Sequence, residues 1–405
     1  MRLAKKKCIK KYNTTELDYF NNLYSKTQKQ IIDIENQIEN NINSDIPLRF
    51  KFLLSDISIE NKRAIINKLN EFNKIYDKSG EYFKYYKLIN VISKLPLGIY
   101  YNININKKDN YISNYLNHIK DELDKKIYGH TETKEQIIRI LAQYISNPNA
   151  NGYIIGIQGS MGIGKTKLIK DGIAKVLQCP FAFIPLGGIS DASYLKGHLY
   201  TYEGSTHGKI VEEIIKAKVM NPVFFFDELD KISSTSHGDE IVNTLIHITD
   251  PTQNNNFTDK YLEDISLDLS KSLIFFTFND LDEINPILKD RMIIIKANNY
   301  TLNDKIKLTK NYLLEDISKS YNFNLNDIII SDENIEYIIN KTTQEDGVRN
   351  LLRNINNIYS HINMNKYIKI NDKLIDFPFT ITKSFIDKYI IMKREDNLIN
   401  LSLYL

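Results

Sequence analysis

The spacing of apolar residues changes twice along the chain. Over residues 27–120, apolar residues recur every three or four positions between polar ones, which is the pattern of amphipathic helices. We therefore expect a helical bundle there, with its last helix ending near Leu95-Pro96. The three stripes are Ile31, Ile34, Ile38 and Ile42, then Ile65, Leu69 and Phe72, and then Tyr82, Tyr85, Leu88 and Val91.

The pattern over residues 121–302 is different, because apolar runs of strand length alternate with helical stretches. Runs that are apolar on both faces are typical of a buried, largely parallel sheet. Residues 303–390 return to helical spacing. The predicted fold class is therefore α/β, a parallel sheet domain with a helical region before it and a smaller helical domain after it. The five runs are Ile154 to Ile157, Phe181 to Ile184, Val223 to Phe226, Leu273 to Phe276 and Ile293 to Ile295.

Length, charge and cysteine content narrow the classes of function. A chain of 405 residues exceeds one ordinary core, so two or three domains are expected. The net charge is only +3, and no apolar run approaches the roughly 18 residues of a membrane span, so we expect neither nucleic acid nor membrane as a partner. Cys8 and Cys179 are far apart, which excludes a disulfide scaffold and favours a reducing compartment such as the cytoplasm.

The two ends of the chain differ in character. Residues 1–26 are basic and polar, and we expect a solvated tail there. Residues 391–405 form a C-terminal tail that contains several apolar side chains. That tail either packs on the preceding domain or docks on a partner.

One glycine-rich segment follows the first predicted strand and precedes a helical pattern. Its spacing is that of a loop whose backbone N–H groups surround the phosphates of a nucleotide. Lys165 would reach the β and γ phosphates, and Thr166 would offer its hydroxyl to Mg²⁺. The sequence therefore predicts a nucleoside triphosphate and Mg²⁺ as ligands. The segment comprises Gly159, Ser160, Met161, Gly162, Ile163, Gly164, Lys165 and Thr166, and Lys167 follows it.

Two adjacent carboxylates, Asp227 and Glu228, end the apolar run Val223 to Phe226. A charge beside a buried strand is costly without a partner, so packing explains the pair poorly, although a solvated strand exit is the alternative. Beside a phosphate loop, Asp227 would hold the shell of Mg²⁺ and Glu228 would orient and deprotonate the attacking water.

Three further polar residues keep two interpretations each. Asn279 follows the run Leu273 to Phe276 and either positions the attacking water or is a turn residue. Arg291 either pairs with Asp290 or reaches the γ phosphate of a neighbouring subunit. Arg349 is either a surface cation or a residue that crosses to the nucleotide from a lid.

The histidines do not indicate a metal site. They lack the H-E-x-x-H spacing of a zinc site, and the serine in the segment from Gly204 to Gly208 is misplaced for a nucleophile elbow. We assign surface or packing roles to His198, His207, His237 and His247.

Taken in order, the segments GSMGIGKT, FFFDELDK, TFN, LKDRM and GVRN resemble the motif set of AAA+ ATPases. The sequence between these motifs is more specific for one family. The segments PLGGISDASYLKGHLYTYEGSTHGKI and TQEDGVRNLLRNI resemble the ATPase module of Lon proteases, and KKIYGHTETKEQIIRILA resembles the entry into that module. The resemblance covers residues 27–390.

The resemblance implies ATP as the nucleotide and a role for each matching residue. The implied roles are phosphate and Mg²⁺ binding for Lys165 and Thr166, metal and catalytic acids for Asp227 and Glu228, first sensor for Asn279, arginine finger for Arg291, second sensor for Arg349, and adenine pocket for Tyr128 and Gly129. It also implies two pore loops, one that grips unfolded polypeptide through Tyr202 and one around residues 234–238.

Two departures from the family pattern change the expectation. Glu203 follows the pore aromatic, where the family usually has an aliphatic residue, and it puts a charge in the substrate path. The chain also stops at Leu405, which leaves no room for a protease domain of about 200 residues. We therefore expect a motor without its own peptidase.

The sequence thus predicts a Lon-like AAA+ ATPase, a ring of identical subunits, most simply a hexamer, that unfolds, translocates or remodels unfolded or misfolded protein. A separate protease or an adaptor is an expected further partner. Three alternatives stay open: the ATPase subunit of a split protease, a nucleic-acid-associated ATPase, and a scaffold that does not hydrolyse ATP.

Overall fold

The computed structural model describes residues 14–40, 46–75, 79–102, 109–147, 152–233, 235–368 and 375–390. The chain divides into two compact units, Met1–Tyr76 and Asp77–Leu405. The helical region predicted over residues 27–120 is therefore split, and its second part folds with the sheet domain. A hydrophobic stripe shows that a helix has a face to bury, but it does not show which neighbour buries it.

The described part of the first unit is helical. Helix α1 lies inside residues 1–26, so the prediction of a polar tail is wrong for residues 14–21, where Phe20 is buried. One large buried residue on so short a helix gives no period to detect. Residues 1–13 of that tail and Ile42 lie outside the described residues. The helices are α1 (Thr14–Asn21), α2 (Ser25–Asn40), α3 (Leu48–Leu54) and α4 (Ile59–Phe72).

The second unit begins with three helices, and the first of them carries the predicted stripe of Tyr82, Tyr85, Leu88 and Val91. Ser79 caps the first of them, because its hydroxyl accepts a hydrogen bond from the backbone N–H of Tyr82 at 3.0 Å. Ile119 and Leu123 of the second helix and Ile137 of the third pack into the core of the sheet domain. The helices are α5 (Gly80–Lys94), α6 (Asp109–Lys126) and α7 (Thr131–Ser146).

A five-stranded parallel sheet forms the centre of this unit, in the order β2–β3–β6–β1–β7. Each of the five predicted apolar runs is one of these strands, so the predicted parallel sheet is confirmed. All six residues of β6 are buried, because the central strand is covered on both faces. The strands are β1 (Ile154–Gln158), β2 (Phe181–Pro185), β3 (Val223–Asp227), the hairpin β4 (Phe257–Thr258) and β5 (Ser266–Leu267), β6 (Leu273–Phe278) and β7 (Ile293–Lys296).

Helices connect the strands. The helix after β1 starts at Lys165 and continues as a π-helical stretch, Leu168–Ala174. The N-terminus of this helix therefore points at the carboxyl end of β1. The connecting helices are α8 (Lys165–Lys167), α9 (Ser193–Lys196), α10 (Lys209–Ala217), α11 (Ser236–Thr249) and α12 (Pro286–Arg291).

The smaller helical domain, called the lid below, follows β7. Thr301 and Asp304 form a capping box that begins its first helix. Its core joins the predicted stripes of α15 and α16, and a short parallel pair, β8 with β9, brings the last helix onto them. The elements are α13 (Leu302–Leu308), a π-helical turn (Thr309–Leu313), α14 (Leu314–Ser320), β8 (Ile328–Ile329), α15 (Asp332–Lys341), α16 (Arg349–Tyr367), β9 (Phe379–Thr380) and α17 (Lys383–Tyr389). Within the described ranges, no helix is long and apolar enough to cross a membrane.

Candidate nucleotide-binding and hydrolysis site

A cavity of about 630 Å³ lies between the lid and the carboxyl ends of β1, β3 and β6. In open parallel sheets this edge binds ligands, because loops and helix N-termini converge there. The predicted residues that line it are Met161, Gly162, Gly164, Lys165, Thr166, Lys167, Asp227, Glu228, Asn279 and Arg349. Lining residues that the sequence did not indicate include Asp230, Thr277, Leu313, Asp316 and Asn356.

The phosphate loop has the backbone that its glycines predict. Gly162 and Gly164 have φ angles of 77° and 88°, in the region that favours glycine. A Cβ on Gly162 would lie 2.9 Å from the Cβ of Arg349, so the absence of a side chain lets the lid approach. The N–H of Gly159 donates to the carbonyl of Phe278 at 3.1 Å and ties the start of the loop to β6.

Lys165 is directed at the end of β6. Its ammonium donates to Asn279 Oδ1 at 2.7 Å and to the carbonyl of Phe278 at 3.3 Å. Burial lowers the pKa of Lys165, and the carboxylates of Asp227 and Asp230 oppose that shift. Asn279 therefore lines the cavity and is bonded to the lysine of the phosphate loop.

The carboxylates at the end of β3 have different surroundings. Asp227 is half-buried and accepts a hydrogen bond from the hydroxyl of Thr277 on β6. Glu228 is exposed to the cavity and has a left-handed φ of 61°. Asp230 is buried, with Oδ2 paired to Lys231 at 3.1 Å and Oδ1 without a hydrogen-bond partner. Asp227 and Glu228 both line the cavity, and Asp230 adds a buried carboxylate oxygen there.

The cavity residues fit Mg²⁺. This ion takes oxygen ligands, usually one or two carboxylates together with substrate phosphates and water. Thr166 and Asp227 supply a hydroxyl and a carboxylate to one cavity, and Asp230 adds an unpartnered carboxylate oxygen. Within the described ranges, no three His, Cys, Asp or Glu side chains converge as a metal-binding group.

The lid contacts the phosphate loop through one backbone and one side-chain hydrogen bond. The N–H of Val348 donates to the carbonyl of Gly162 at 3.1 Å, and the hydroxyl of Ser160 donates to Asp346 at 2.8 Å. These contacts place Arg349, the first residue of α16, at the cavity. Arg349 therefore lines the site, although its side chain is exposed.

A smaller cavity of about 80 Å³ continues beside the loop, lined by Tyr128, Tyr312 and Leu308 among others. The hydroxyl of Tyr128 donates to Asp304 at 3.0 Å. Burial and this hydrogen bond raise the pKa of Tyr128. The aromatic and aliphatic walls of this cavity suit a nucleobase. Gly129 is not one of its lining residues, but a Cβ at Gly129 would meet the ring of Tyr300, which does line it, at 3.4 Å.

Two family models match the chain. The ATPase family associated with various cellular activities (AAA) matches residues 155–300, and the Lon protease AAA+ ATPase lid domain matches residues 319–373. The first range lies within the sheet domain and the second within the lid, the two domains that enclose the cavity. The chain belongs to the Lon-type AAA+ ATPases.

Curated relatives agree with this assignment. A Lon protease homolog of Acanthamoeba polyphaga mimivirus is 36% identical over 363 residues, which are 86% of this chain and 35% of the relative. The Lon protease of Clostridioides difficile (strain 630) is 34% identical over 382 residues, 94% of this chain and 46% of the relative. A mitochondrial Lon protease homolog of Candida albicans is 36% identical over 269 residues, 66% of this chain and 24% of the relative. This chain thus spans less than half the length of each of these relatives.

Arg291 of the Lon-type module lies outside the two nucleotide cavities described above. Its Nη1 donates to the carbonyl of Ile246 at 2.6 Å and its Nη2 pairs with Asp250 at 2.9 Å. The alternative of a pair with Asp290 is therefore wrong, because α12 packs on the end of α11 and brings Asp250 to the guanidinium. The planar group is held in one orientation at the end of α12.

Tyr202 and Glu203 are exposed in the loop between α9 and α10, outside the residues that line either nucleotide cavity. The loop is anchored on α5, because Lys84 donates to the carbonyl of Thr201 at 2.6 Å and the Tyr85 and Tyr200 hydroxyls are 3.0 Å apart. The segment predicted as the second pore loop is only partly a loop, because residues 236–238 form the first turn of α11. Ser234 lies outside the described residues.

Proposed function

We propose that this Lon-type ATPase hydrolyses ATP and uses the energy to unfold, translocate or remodel protein through the pore of a ring of identical subunits. The observation that carries the proposal is the convergence of Lys165, Glu228 and Arg349 on one cavity. Each comes from a different element, so one cavity would combine a lysine that binds phosphate, a carboxylate that acts as base and a cation from the lid.

In the proposed reaction, water attacks the γ phosphorus and the bond from that phosphorus to the β-phosphate oxygen breaks. The Glu228 carboxylate takes the proton of the water, and Lys165 binds the β and γ phosphate oxygens. Asn279 orients the Lys165 ammonium through their 2.7 Å hydrogen bond. Mg²⁺, held by Thr166 and Asp227, would supply positive charge to the phosphate oxygens when bound.

Assembly into a ring is supported by Arg291. The Arg291 guanidinium is held at the end of α12 by Ile246 and Asp250, outside its own chain's cavities. These two contacts use two of its five N–H donors, so the others would bind the γ phosphate of the next subunit. The exposed Tyr202 supports a grip on polypeptide, since an aromatic ring contacts many side chains at low entropic cost. A hexamer and the cytoplasmic location stay predictions.

We assign the unfolding and translocation of protein, called the motor step below, to the described residues. We assign no peptide-bond cleavage to them. The second candidate is a motor that feeds a peptidase on a separate chain, because the relatives are described as Lon proteases. A peptidase that co-purifies with this chain, and whose activity depends on ATP, would support the second candidate.

The test of ATP hydrolysis is Glu228→Gln. The amide cannot take a proton, so phosphate release should fall by at least about a hundredfold while ATP still binds. Lys165→Ala should lose ATP binding itself. Glu333→Gln, an exposed acid on α15, is the matched control and should hydrolyse ATP at the wild-type rate. Wild-type turnover in Glu228→Gln would remove Glu228 from the role of base.

The test of the motor step is an ATP-dependent loss of fluorescence from a tagged folded protein, followed by electrophoresis. We expect unfolding in ATP with the tagged protein still at full length. Peptides that appear with wild type and are absent with Glu228→Gln would contradict the assignment of a motor without cleavage.

A further inference from the structure

A buried histidine contacts the phosphate loop and was not among the residues predicted from sequence. His130 is 7% exposed and lies just before α7, with a left-handed φ of 54°. Its Nε2 is 2.9 Å from the carbonyl oxygen of Ile163 and 2.9 Å from the hydroxyl of Tyr300. The Tyr300 hydroxyl also donates to the Ile163 oxygen at 3.1 Å. One loop carbonyl is therefore held by two side chains from distant parts of the chain.

The carbonyl fixes the tautomer of His130. A carbonyl oxygen only accepts, so Nε2 must carry the hydrogen and donate it. Nδ1 is buried without a hydrogen-bond partner, so a second proton there would be unsatisfied. Burial accordingly lowers the pKa of His130 below its usual range. The residue acts as a neutral donor.

The held carbonyl sets the direction of the next amide. In a trans peptide the C=O and the following N–H point to opposite sides. Because the Ile163 oxygen points at His130 and Tyr300, the N–H of Gly164 points away from them. Gly164 lines the large cavity, where inward-pointing N–H groups bind phosphate.

Tyr300 also connects the loop to the lid. It lies between β7 and α13, and its N–H donates to the carbonyl of Asp346 at 3.1 Å. The Asp346 carboxylate in turn accepts from Ser160 at 2.8 Å. A movement of the lid segment at Asp346 would therefore act on the phosphate loop through both Tyr300 and Ser160.

We propose that His130 and Tyr300 are positioning residues that hold the Ile163–Gly164 peptide in its phosphate-binding orientation and link that orientation to the lid. The proposal rests on the proposed ATPase function, since it concerns the same site. In the proposed site the Gly164 N–H would contact phosphate in the ground state and the transition state alike. Loss of its orientation therefore raises KM and Kd and changes kcat little.

The test compares four variants by Kd for a fluorescent ADP and by steady-state ATP hydrolysis. His130→Leu should raise Kd and KM about tenfold, which equals about 1.4 kcal/mol, with kcat within about threefold of wild type. His130→Gln returns an N–H donor and should recover affinity to within about threefold. Tyr300→Phe should weaken binding by about threefold to tenfold. Tyr337→Phe, which removes a lid hydroxyl bonded to Asp387 at 2.8 Å, should bind as wild type.

Several results would overturn the proposal. They are unchanged affinity in both His130→Leu and Tyr300→Phe, a Gln variant as weak as the Leu variant, or a loss of kcat with KM unchanged. If His130→Leu does not fold, Tyr300→Phe decides the outcome, since it removes a single hydroxyl. A wild-type protein that binds nucleotide without hydrolysing it would contradict the proposed function and leave this affinity test intact.

Discussion

Lys165 and Asn279 are 114 residues apart in sequence, yet a hydrogen bond of 2.7 Å joins their side chains. The same site places Thr277 against Asp227. At the scale of single residues, the chemistry therefore depends on side chains that neighbouring strands bring together. Small steric changes beside such a side chain should alter activity more than stability.

Gly187 tests this expectation. A Cβ at this position would lie 2.1 Å from Glu228 Oε2 and 3.4 Å from Glu228 Cβ. In Gly187→Ala the exposed Glu228 side chain can rotate away at little cost in free energy. The melting temperature should therefore stay near that of wild type. The displaced carboxylate should lower kcat on the order of a hundredfold, because misplacement of a catalytic group by about 1 Å has effects of that size.

The matched control is Gly80→Ala, at the start of α5, where a Cβ has no atom within 4 Å. It should keep both kcat and melting temperature. Wild-type turnover in Gly187→Ala would show that Glu228 does not need its present position.

At the scale of elements, the loop between α9 and α10 is held from two sides. Its base is fixed by Asp259, whose Oδ2 accepts from the N–H of Gly208 at 2.8 Å. Its outer part is bonded to α5 through Lys84. Tyr202, at 63% exposure, is thus presented to solvent by an anchored loop.

Tyr202→Ala should leave basal ATP hydrolysis unchanged and remove its stimulation by an unfolded protein such as casein. The reason is that Tyr202 lies outside the residues that line the nucleotide cavities and would act only on substrate. Tyr367→Ala is the matched control, because Tyr367 is 72% exposed at the end of α16. It should keep full stimulation. Equal stimulation of the two variants would place the polypeptide path elsewhere.

Asp259 predicts a pH dependence of stability. Burial raises its pKa to about 7. A carboxyl with a raised pKa in the folded state contributes stability that is fully present below about pH 4 and is lost as pH rises through about 7. The neutral Asp259→Asn has no such titration, so the melting temperature of wild type relative to this variant should fall by a few degrees from pH 5 to pH 8. A constant difference would contradict the prediction.

At the scale of the whole molecule, the proposed ring makes each site depend on two subunits. Arg291 supplies a fixed cation outside its own chain's cavities, and Arg349 supplies one inside. Activity should therefore rise with protein concentration, since a lone subunit lacks the first of these cations.

Mixing tests this dependence. Arg291→Ala added to wild type should lower activity more steeply than dilution, because each variant subunit disables its neighbour's site as well as occupying a place in the ring. An arginine finger contributes on the order of a thousandfold in rate. Arg139→Ala, an exposed arginine on α7, should lower activity by dilution alone or not at all. Linear loss with both variants, together with a monomer in ATP, would argue against a ring.

The sequence by itself determined the sheet, the phosphate loop and the acids at the end of β3. Each is a local pattern: strands that are apolar on both faces, a fixed glycine spacing, and charges directly after a buried run. Such patterns need only a few consecutive residues, so they can be detected without knowing the rest of the fold. The five predicted strands are all present for this reason.

The tertiary structure alone decided which distant residues meet. Strand order and helix packing brought Asp250 rather than Asp290 to Arg291, left Asp230 with a free oxygen at the cavity, and placed His130 and Tyr300 on one carbonyl. The apolar stripes likewise did not indicate that the chain divides into two compact units after residue 76. Residues that meet in this way have no fixed spacing in the sequence, because contacts across a sheet depend on how the elements pack and not on the distance along the chain.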